Sequence, residues 1–310
     1  MAPEHSIGAR GTGLADGIGW WQAAEAVLGL PGPTSHANGP SCAQKPLSPI
    51  ATQPMSILEI ELVPCLKDNY AYLLRDAETG SVGAVDPSEA APVEAALARH
   101  GWRLDYVLNT HHHWDHTGGN LALKAATGAR VVGPAADRER IPGIDIALAD
   151  GERWKLGAAE ARILFIPGHT RGHIAYHFPD SKAVFCGDTL FALGCGRMFE
   201  GTAPQMWTSL SKLRALAPET RVYCGHEYTQ ANARFALTVE PTNAALRTRA
   251  AAVDAARAKR LATVPSTIGE ERATNPFLRA DQPGFAEAVG LIGADPVTLF
   301  AEVRRRKDQF

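Results

Sequence analysis

Four histidines and an aspartate fall between His111 and His116 in the segment THHHWDHTGGN, in a chain of 310 residues that has only 11 histidines in all. In an extended or loop conformation, side chains two apart share a side. His111 and His113 therefore face together while His112 turns away. Two imidazoles on one side are half of a metal site, and Asp115 and His116 would add a carboxylate oxygen and a further nitrogen. That mixture of donors suits Zn²⁺, or a neighbour such as Fe or Mn.

A histidine-rich loop standing alone would read as polar surface. Three further donors argue against that here, each placed after a β-type run and directly behind a glycine: His169 after ARILFI, Asp188 after AVFCG and His226 after RVYC. Glycine permits a tight turn and a close backbone approach at a strand end. Seven donors exceed what one tetrahedral ion takes, so the spacing implies two ions. A workable division gives His111, His113 and His169 to the first ion, gives Asp115, His116 and His226 to the second, and sets Asp188 between them. A water shared by two ions about 3.5–4 Å apart ionises near neutral pH and becomes a nucleophile.

The elements that must position these donors are legible in outline. SILEIELVPC alternates as a first strand, and AYLLR, VGAVD, DYVLNT, ARVVG, ARILFI, IAYHF, AVFCGD and RVYCG follow as short β runs, with helical patterns at PVEAALARHG, NLALKAATG and QMWTSLSKLRAL. That is a sheet-rich α/β layer structure over residues 55–226. From residue 227 to 310 the chain turns Ala-rich and helical in period, and its last helix opens with Asp295 as N-cap and Pro296 at the first helical position. Residues 1–54, rich in Gly, Pro, Ala and Ser, carry no core-forming periodicity. They read as a disordered extension, with Met55 as the expected true start.

Composition narrows the function classes. Lys plus Arg at 31 against Asp plus Glu at 33 leaves a net charge of −2, which offers no general attraction for a nucleic acid. No apolar run approaches the ~18 residues of a membrane span. The five cysteines are odd in number and none are spaced CxxC, which fits a reducing cytoplasm.

At these residues the sequence resembles the metallo-β-lactamase superfamily, whose T-H-x-H-x-D-H signature matches Thr110 to His116. Within it the chain is similar to the glyoxalase II (hydroxyacylglutathione hydrolase) family through THHHWDHTGGN, FCGDTLFALGCGRMFEGT, YCGHEYT, NPFLR and RRRKDQF. The resemblance implies a four-layer αββα sandwich with a smaller helical C-terminal domain. It also implies two divalent ions, zinc first, and hydrolysis of S-D-lactoylglutathione to glutathione and D-lactate by a cytoplasmic enzyme; a monomer is expected. Asp115 would orient the attacking water as well as ligate. Arg197 stands where the family has a basic residue that contacts glutathione, Tyr228 is retained, and Phe199 replaces the tyrosine of some members. Arg304 and Lys307 match the pair that holds the glycine carboxylate of glutathione; without the resemblance they read as a solvated basic helix end, favoured by the helix dipole. His112 is expected to be a packed or hydrogen-bonded spacer, and His173 to orient a ligand or its loop. The principal rival is a glutathione persulfide dioxygenase, which needs one iron held by two His and an Asp; the helical C-terminal region argues against it.

Overall fold

The computed structural model describes residues 57–310, which lie within a single compact unit. The expectations for residues 1–54 and for a start at Met55 lie outside the described residues. The first sheet runs in chain order: β1 (Leu58–Cys65), β2 (Asn69–Asp76), β3 (Val82–Val85), β4 (Tyr106–Leu108), β5 (Arg130–Pro134) and β6 (Ile144–Leu148). Its first three strands are antiparallel neighbours, and β3 to β6 are parallel. Helix α1 (Ala90–His100) crosses from β3 to β4. The short α2 (Trp114–Thr117) and α3 (Asn120–Thr127) cross from β4 to β5.

The second sheet holds β7 (Arg153–Leu156), β8 (Ala159–Phe165), β9 (Ile174–Phe178) and β10 (Ala183–Gly187). After the two-stranded hairpin of β11 (Leu190–Phe191) and β12 (Gly194–Cys195), and helix α4 (Ala203–Arg214), it is completed by β13 (Arg221–Cys224), parallel to β10. Helices α5 (Thr229–Val239) and α6 (Ala244–Ala258) follow. The C-terminal stretch is not wholly helical, because β14 (Ser266–Thr267) returns to pair with β13 before α7 (Ile268–Thr274), α8 (Phe285–Val289) and α9 (Pro296–Gln309).

Period-2 alternation explains the layering. In β2, Tyr70, Tyr72 and Leu74 point into the core between the sheets, while Ala71 and Leu73 point into a second core with Val93, Ala96 and Leu97 of α1 and Leu123 of α3. The strand is buried on both faces and accordingly reads as nearly continuous apolar sequence. Met206, Leu210 and Leu213 of α4 and Leu299, Phe300 and Val303 of α9 cover the second sheet in a cluster continuous with the inter-sheet core. The layers are thus helix, sheet, sheet, helix, as expected for the αββα architecture. Among the described residues, no helix is long and apolar enough to cross a membrane.

The two sheets are tied where the site lies. Tyr176 Oη donates to the Asn109 carbonyl at 3.0 Å, and the Ile174 N–H donates to the Thr110 carbonyl at 2.9 Å. The Tyr70 N–H donates to the Gly225 carbonyl at 2.8 Å. With the Gly225 N–H donating to the Gly187 carbonyl at 3.0 Å, these bonds hold the C-terminal ends of β4, β10 and β13 together, and those ends carry all the donors but His169, which follows β8.

Candidate metal centre

Each donor stands where a strand gives way to a turn. The segment after β4 delivers His111 and His113 and then coils into α2, which presents Asp115 and His116 from one helical turn. Asp188 follows β10 directly. Gly187 before it has φ +47°, and a Cβ there would lie 2.2 Å from Thr110 Oγ1, so only glycine lets β10 pass the metal loop at this distance. Gly225 is excluded from bearing a side chain in the same way: its Cβ would meet Asp188 Oδ1 at 2.4 Å and His116 Cε1 at 2.5 Å.

The seven donors converge as two trios. His113 Nδ1 lies 3.1 Å from His111 Nε2 and 3.0 Å from His169 Nε2. Asp115 Oδ2 lies 3.8 Å from His116 Nε2 and 3.5 Å from His226 Nε2. Asp188 reaches both: Oδ2 is 3.5 Å from His169 Nε2 and 3.3 Å from His226 Nε2, and Oδ1 is 3.4 Å from His116 Nε2.

Whether these residues fit metal ions is decided by where the ring protons sit. His116 Nδ1 donates to Asp86 Oδ2 at 3.1 Å, His226 Nδ1 to Asp68 Oδ1 at 3.0 Å, and His169 Nδ1 to the Arg197 carbonyl at 2.8 Å. Thr110 Oγ1 donates to Asp86 Oδ2 and so can only accept from His111 Nδ1, at 3.0 Å. In the neutral form of each of these four rings Nε2 is the lone-pair nitrogen, aimed inward. In the first trio His113 Nδ1 lies about 3 Å from the Nε2 of His111 and of His169, close to the roughly 3.3 Å edge of a tetrahedron with metal–nitrogen bonds of about 2.0–2.1 Å, and the three nitrogens all lie within 4.8 Å of one another. His116 Nε2 and Asp188 Oδ1 are fully buried without any hydrogen-bond partner. A cation held between them would satisfy both atoms, and with the first trio beside them the residues present fit two divalent ions.

The electrostatics of the first trio agree. Burial holds His111 well below the ordinary imidazole range, and burial together with His169 brings His113 down to about 4. Both are neutral at physiological pH, as a ligand must be. In the second trio, burial alone would lower His116, but the carboxylates of Asp188 and Asp86 outweigh it and hold the ring well above its usual value, so an ion binding there takes the place of a ring proton. In the same pairing, Asp188 is held far below the carboxylate range by His116 and His226 against the effect of burial.

A cleft of about 640 Å³ opens over the donors. His113, Asp115, His169, Asp188 and His226 line one part of it; Arg197, Tyr228, Arg304 and Lys307 line the rest. Tyr228 stacks on His226 with ring centroids 4.6 Å apart. Arg304 is buried: Nη1 donates to the Cys195 carbonyl at 2.9 Å and Nη2 to Asp308 Oδ1 at 2.7 Å. Lys307 Nζ makes one 3.2 Å bond, to the Ala231 carbonyl, and lies over the rings of Phe235 and Phe310. Arg197 is exposed and 3.7 Å from Asp308. Three cations thus face the cleft around one carboxylate, and Phe199 lies exposed at its rim.

Sequence reasoning passed over the residues that aim the ligands. Asp86 follows a buried strand just as Asp188 does, and that likeness is a usable signal. Asp68, in the turn before β2, and Asn69, which opens β2 and whose Nδ2 donates to Asp115 Oδ2 at 3.1 Å, carry no local mark of their role.

Comparison with known proteins adds the family. Residues 227–310 match the model for the hydroxyacylglutathione hydrolase C-terminus, and residues 70–153 and 155–226 match that for the metallo-β-lactamase superfamily. A hydroxyacylglutathione hydrolase of Methylococcus capsulatus is 62% identical over 254 residues, covering 82% of this chain and 99% of the relative. The chain belongs to the hydroxyacylglutathione hydrolase family. A second relative of that name, from Rhodospirillum rubrum, is 57% identical over 83% of this chain and 100% of its own length. Among solved structures, ETHE1 from Myxococcus xanthus aligns with a TM-score of 0.55 and 25% identity, over 81% of this chain and 98% of its own. TTHA1623 in a di-iron-bound form aligns with a TM-score of 0.50 and 27% identity, over 70% of this chain and 98% of its own. The dioxygenase alternative is not favoured, because residues 227–310 carry the C-terminal region of this family.

Proposed function

We propose that this chain hydrolyses the thioester of S-D-lactoylglutathione, and of other S-2-hydroxyacylglutathiones, to glutathione and the 2-hydroxy acid, as the second step of methylglyoxal removal. The observation that carries the reading is one cleft in which two converging donor trios stand beside three cations. A glutathione thioester has a reactive carbonyl and two distant carboxylates. Relatives of that name at 54–62% identity support the same activity.

When bound, the two ions supply Lewis acidity toward a carbonyl oxygen and make a water acidic enough to act as a nucleophile near neutral pH. The protein's own groups do the rest. Asn69 steers the Asp115 carboxylate, which accepts a hydrogen bond from the attacking water and so aims it at the thioester carbon. Tyr228 and Arg197 bind the peptide part of the substrate. Lys307, with Arg304 behind it, meets the glycine carboxylate. The leaving thiolate is a weak base, so no strong acid is required in the site.

We take the ions to be zinc, on the strength of imidazole-rich trios; the di-iron form of TTHA1623 makes iron the second choice. We place the enzyme in the cytoplasm as a monomer. Cys65, Cys186, Cys195 and Cys224, free and buried, suit a reducing compartment. Metal analysis of the purified protein together with a thioester assay tests the reading. About two ions per chain and hydrolysis of S-D-lactoylglutathione are expected; a fully metallated protein without thioesterase activity would refute it.

A further inference from the structure

His112 lies between two of the proposed ligands yet faces away from both, into a cluster of charged side chains that the reaction does not use. Its Nδ1 donates to Asp137 Oδ2 at 2.9 Å, and its Nε2 accepts from Arg140 Nη1 at 3.2 Å. The Asp137 side chain has no exposed surface. It also accepts from Arg140 Nε at 3.1 Å and, through the same oxygen, from Arg140 Nη2. The rest of the guanidinium goes to Glu200, with Nη1 donating to Oε1 at 2.5 Å and Nη2 to Oε2 at 3.1 Å. Glu200 Oε2 in turn accepts the backbone N–H of Arg171 at 2.7 Å.

Four stretches of chain are joined through this one guanidinium, three directly and the fourth through Glu200. They are the metal loop through His112, the 3₁₀ turn Ala135–Asp137, the turn after His169 through Arg171, and the cleft wall through Glu200, one residue beyond Phe199. The first and third carry the whole of the first trio, His111, His113 and His169. Packing here leaves no slack, for a Cβ on Gly172 would fall 2.1 Å from the Asp137 carboxyl carbon. The second trio is braced from elsewhere, by Asp86 behind His116 and Asp68 behind His226. Arg140 holds the Glu200 carboxyl down at about 2, so the pair stays ionised throughout the working pH range.

We propose that Arg140 is a positioning residue for the first metal ion: its planar fork joins Asp137 and His112 to Glu200 and thereby sets the distance between the His111–His113 loop and the His169 turn. The inference rests on the metal reading above.

The test is Co²⁺ titration of the metal-free protein followed by its visible spectrum, with the two binding steps assigned from His169→Ala and His226→Ala proteins. In Arg140→Met, the first ion should bind about 10- to 100-fold more weakly, the range for loss of a group that orients ligands, while the second changes by less than about threefold. Glu200→Gln should weaken the first ion in the same direction but less. Arg140→Lys keeps the charge but loses the fork, and should recover little of the loss. Equal weakening of both ions, unchanged affinities, or full recovery by lysine would each overturn the proposal. Should Arg140→Met not fold, Glu200→Gln decides, since it leaves Asp137, Arg140 and His112 joined. A wild type that binds no second ion would sink the metal reading and this proposal together; two ions bound unchanged in every variant would sink this proposal alone.

Discussion

Lys307 tests the cleft reading better than Arg304 does. Arg304 is buried, with both terminal nitrogens committed to the Cys195 carbonyl and to Asp308, so its removal would disturb the cleft wall as well as any bound ligand. Lys307 makes a single 3.2 Å bond. Lys307→Met keeps the aliphatic stem against Phe235 and Phe310 and deletes only the charge. A carboxylate held far from the reacting carbon is held equally in substrate and transition state, so the variant should raise KM and leave kcat nearly unchanged. A charge-assisted hydrogen bond is worth about 1.5–3 kcal/mol when buried. Lys307 is only partly buried, and screening reduces this to about 1–2 kcal/mol. KM should therefore rise about 5- to 30-fold, at about 1.4 kcal/mol per factor of ten. Desolvation, with repulsion from Arg304 and Arg197, brings the Lys307 pKa down to about 8. Below that pH the ammonium is charged and can pair; above it the amine is neutral. Wild-type KM should accordingly climb as pH rises through about 8, while the already raised KM of Lys307→Met stays flat. Initial rates on S-D-lactoylglutathione across that pH, with a thioester lacking the tripeptide as control, measure both effects. An unchanged KM in the variant, or the same climb in both proteins, would refute the argument. An equal loss on both substrates would mean a damaged fold instead.

Asp188 spans the two trios whereas His112 braces one of them from behind, so Asp188→Ala should lower kcat/KM by more than about a hundredfold and His112→Ala by about tenfold; similar losses would contradict the division of ligands. Gly225→Ala keeps every ligand but places a methyl group 2.4 Å from Asp188 Oδ1. The purified variant should hold fewer than two ions, and full metal content would show that the loop can yield. Stripping the ions with a chelator should lower the melting temperature, because ions at a hundredfold above their dissociation constant stabilise by about 2.7 kcal/mol each. That corresponds to a fall on the order of 5–10 °C per ion for a domain of this size, checked by calorimetry with and without added Zn²⁺.

The parts of this site that were legible in the sequence are those with a local signature. All seven donors sit in a dense motif or behind a glycine, and the strands that carry them are apolar runs short enough to read. What the sequence did not yield are partnerships made by topology. Asp86 meets Thr110 because β3 and β4 run parallel and end together, a consequence of register that no window of sequence contains. The two-residue β14 is likewise defined only by its pairing with β13. Arg304 is an intermediate case. A basic helix end favours solvated cations by its dipole alone, and Arg305 is indeed exposed. Arg304, however, lies in phase with Phe300 and Val303 on the buried stripe of α9. Helical period separates the two arginines, and that information was present.

What divides the ligands from the other histidines beside them is the fate of one proton per ring. His173 stacks on His111 at 4.6 Å and is wholly buried, as close to the centre as a ligand would be. Its Nδ1, however, donates to the Ile174 carbonyl and its Nε2 accepts from the Asp188 N–H at 3.1 Å, so no lone pair is left for an ion. His112 is exhausted in the same way, between Asp137 and Arg140. His111, His116, His169 and His226 each spend Nδ1 on an acceptor, the neighbouring Thr110 for His111 and a distant part of the chain for the other three. A change of acceptor therefore reaches the ion without touching a ligand. Replacing Asp86 by asparagine, for instance, presents an amide that can donate where only an acceptor stood, and lets His116 turn its proton inward to Nε2, where it excludes the metal.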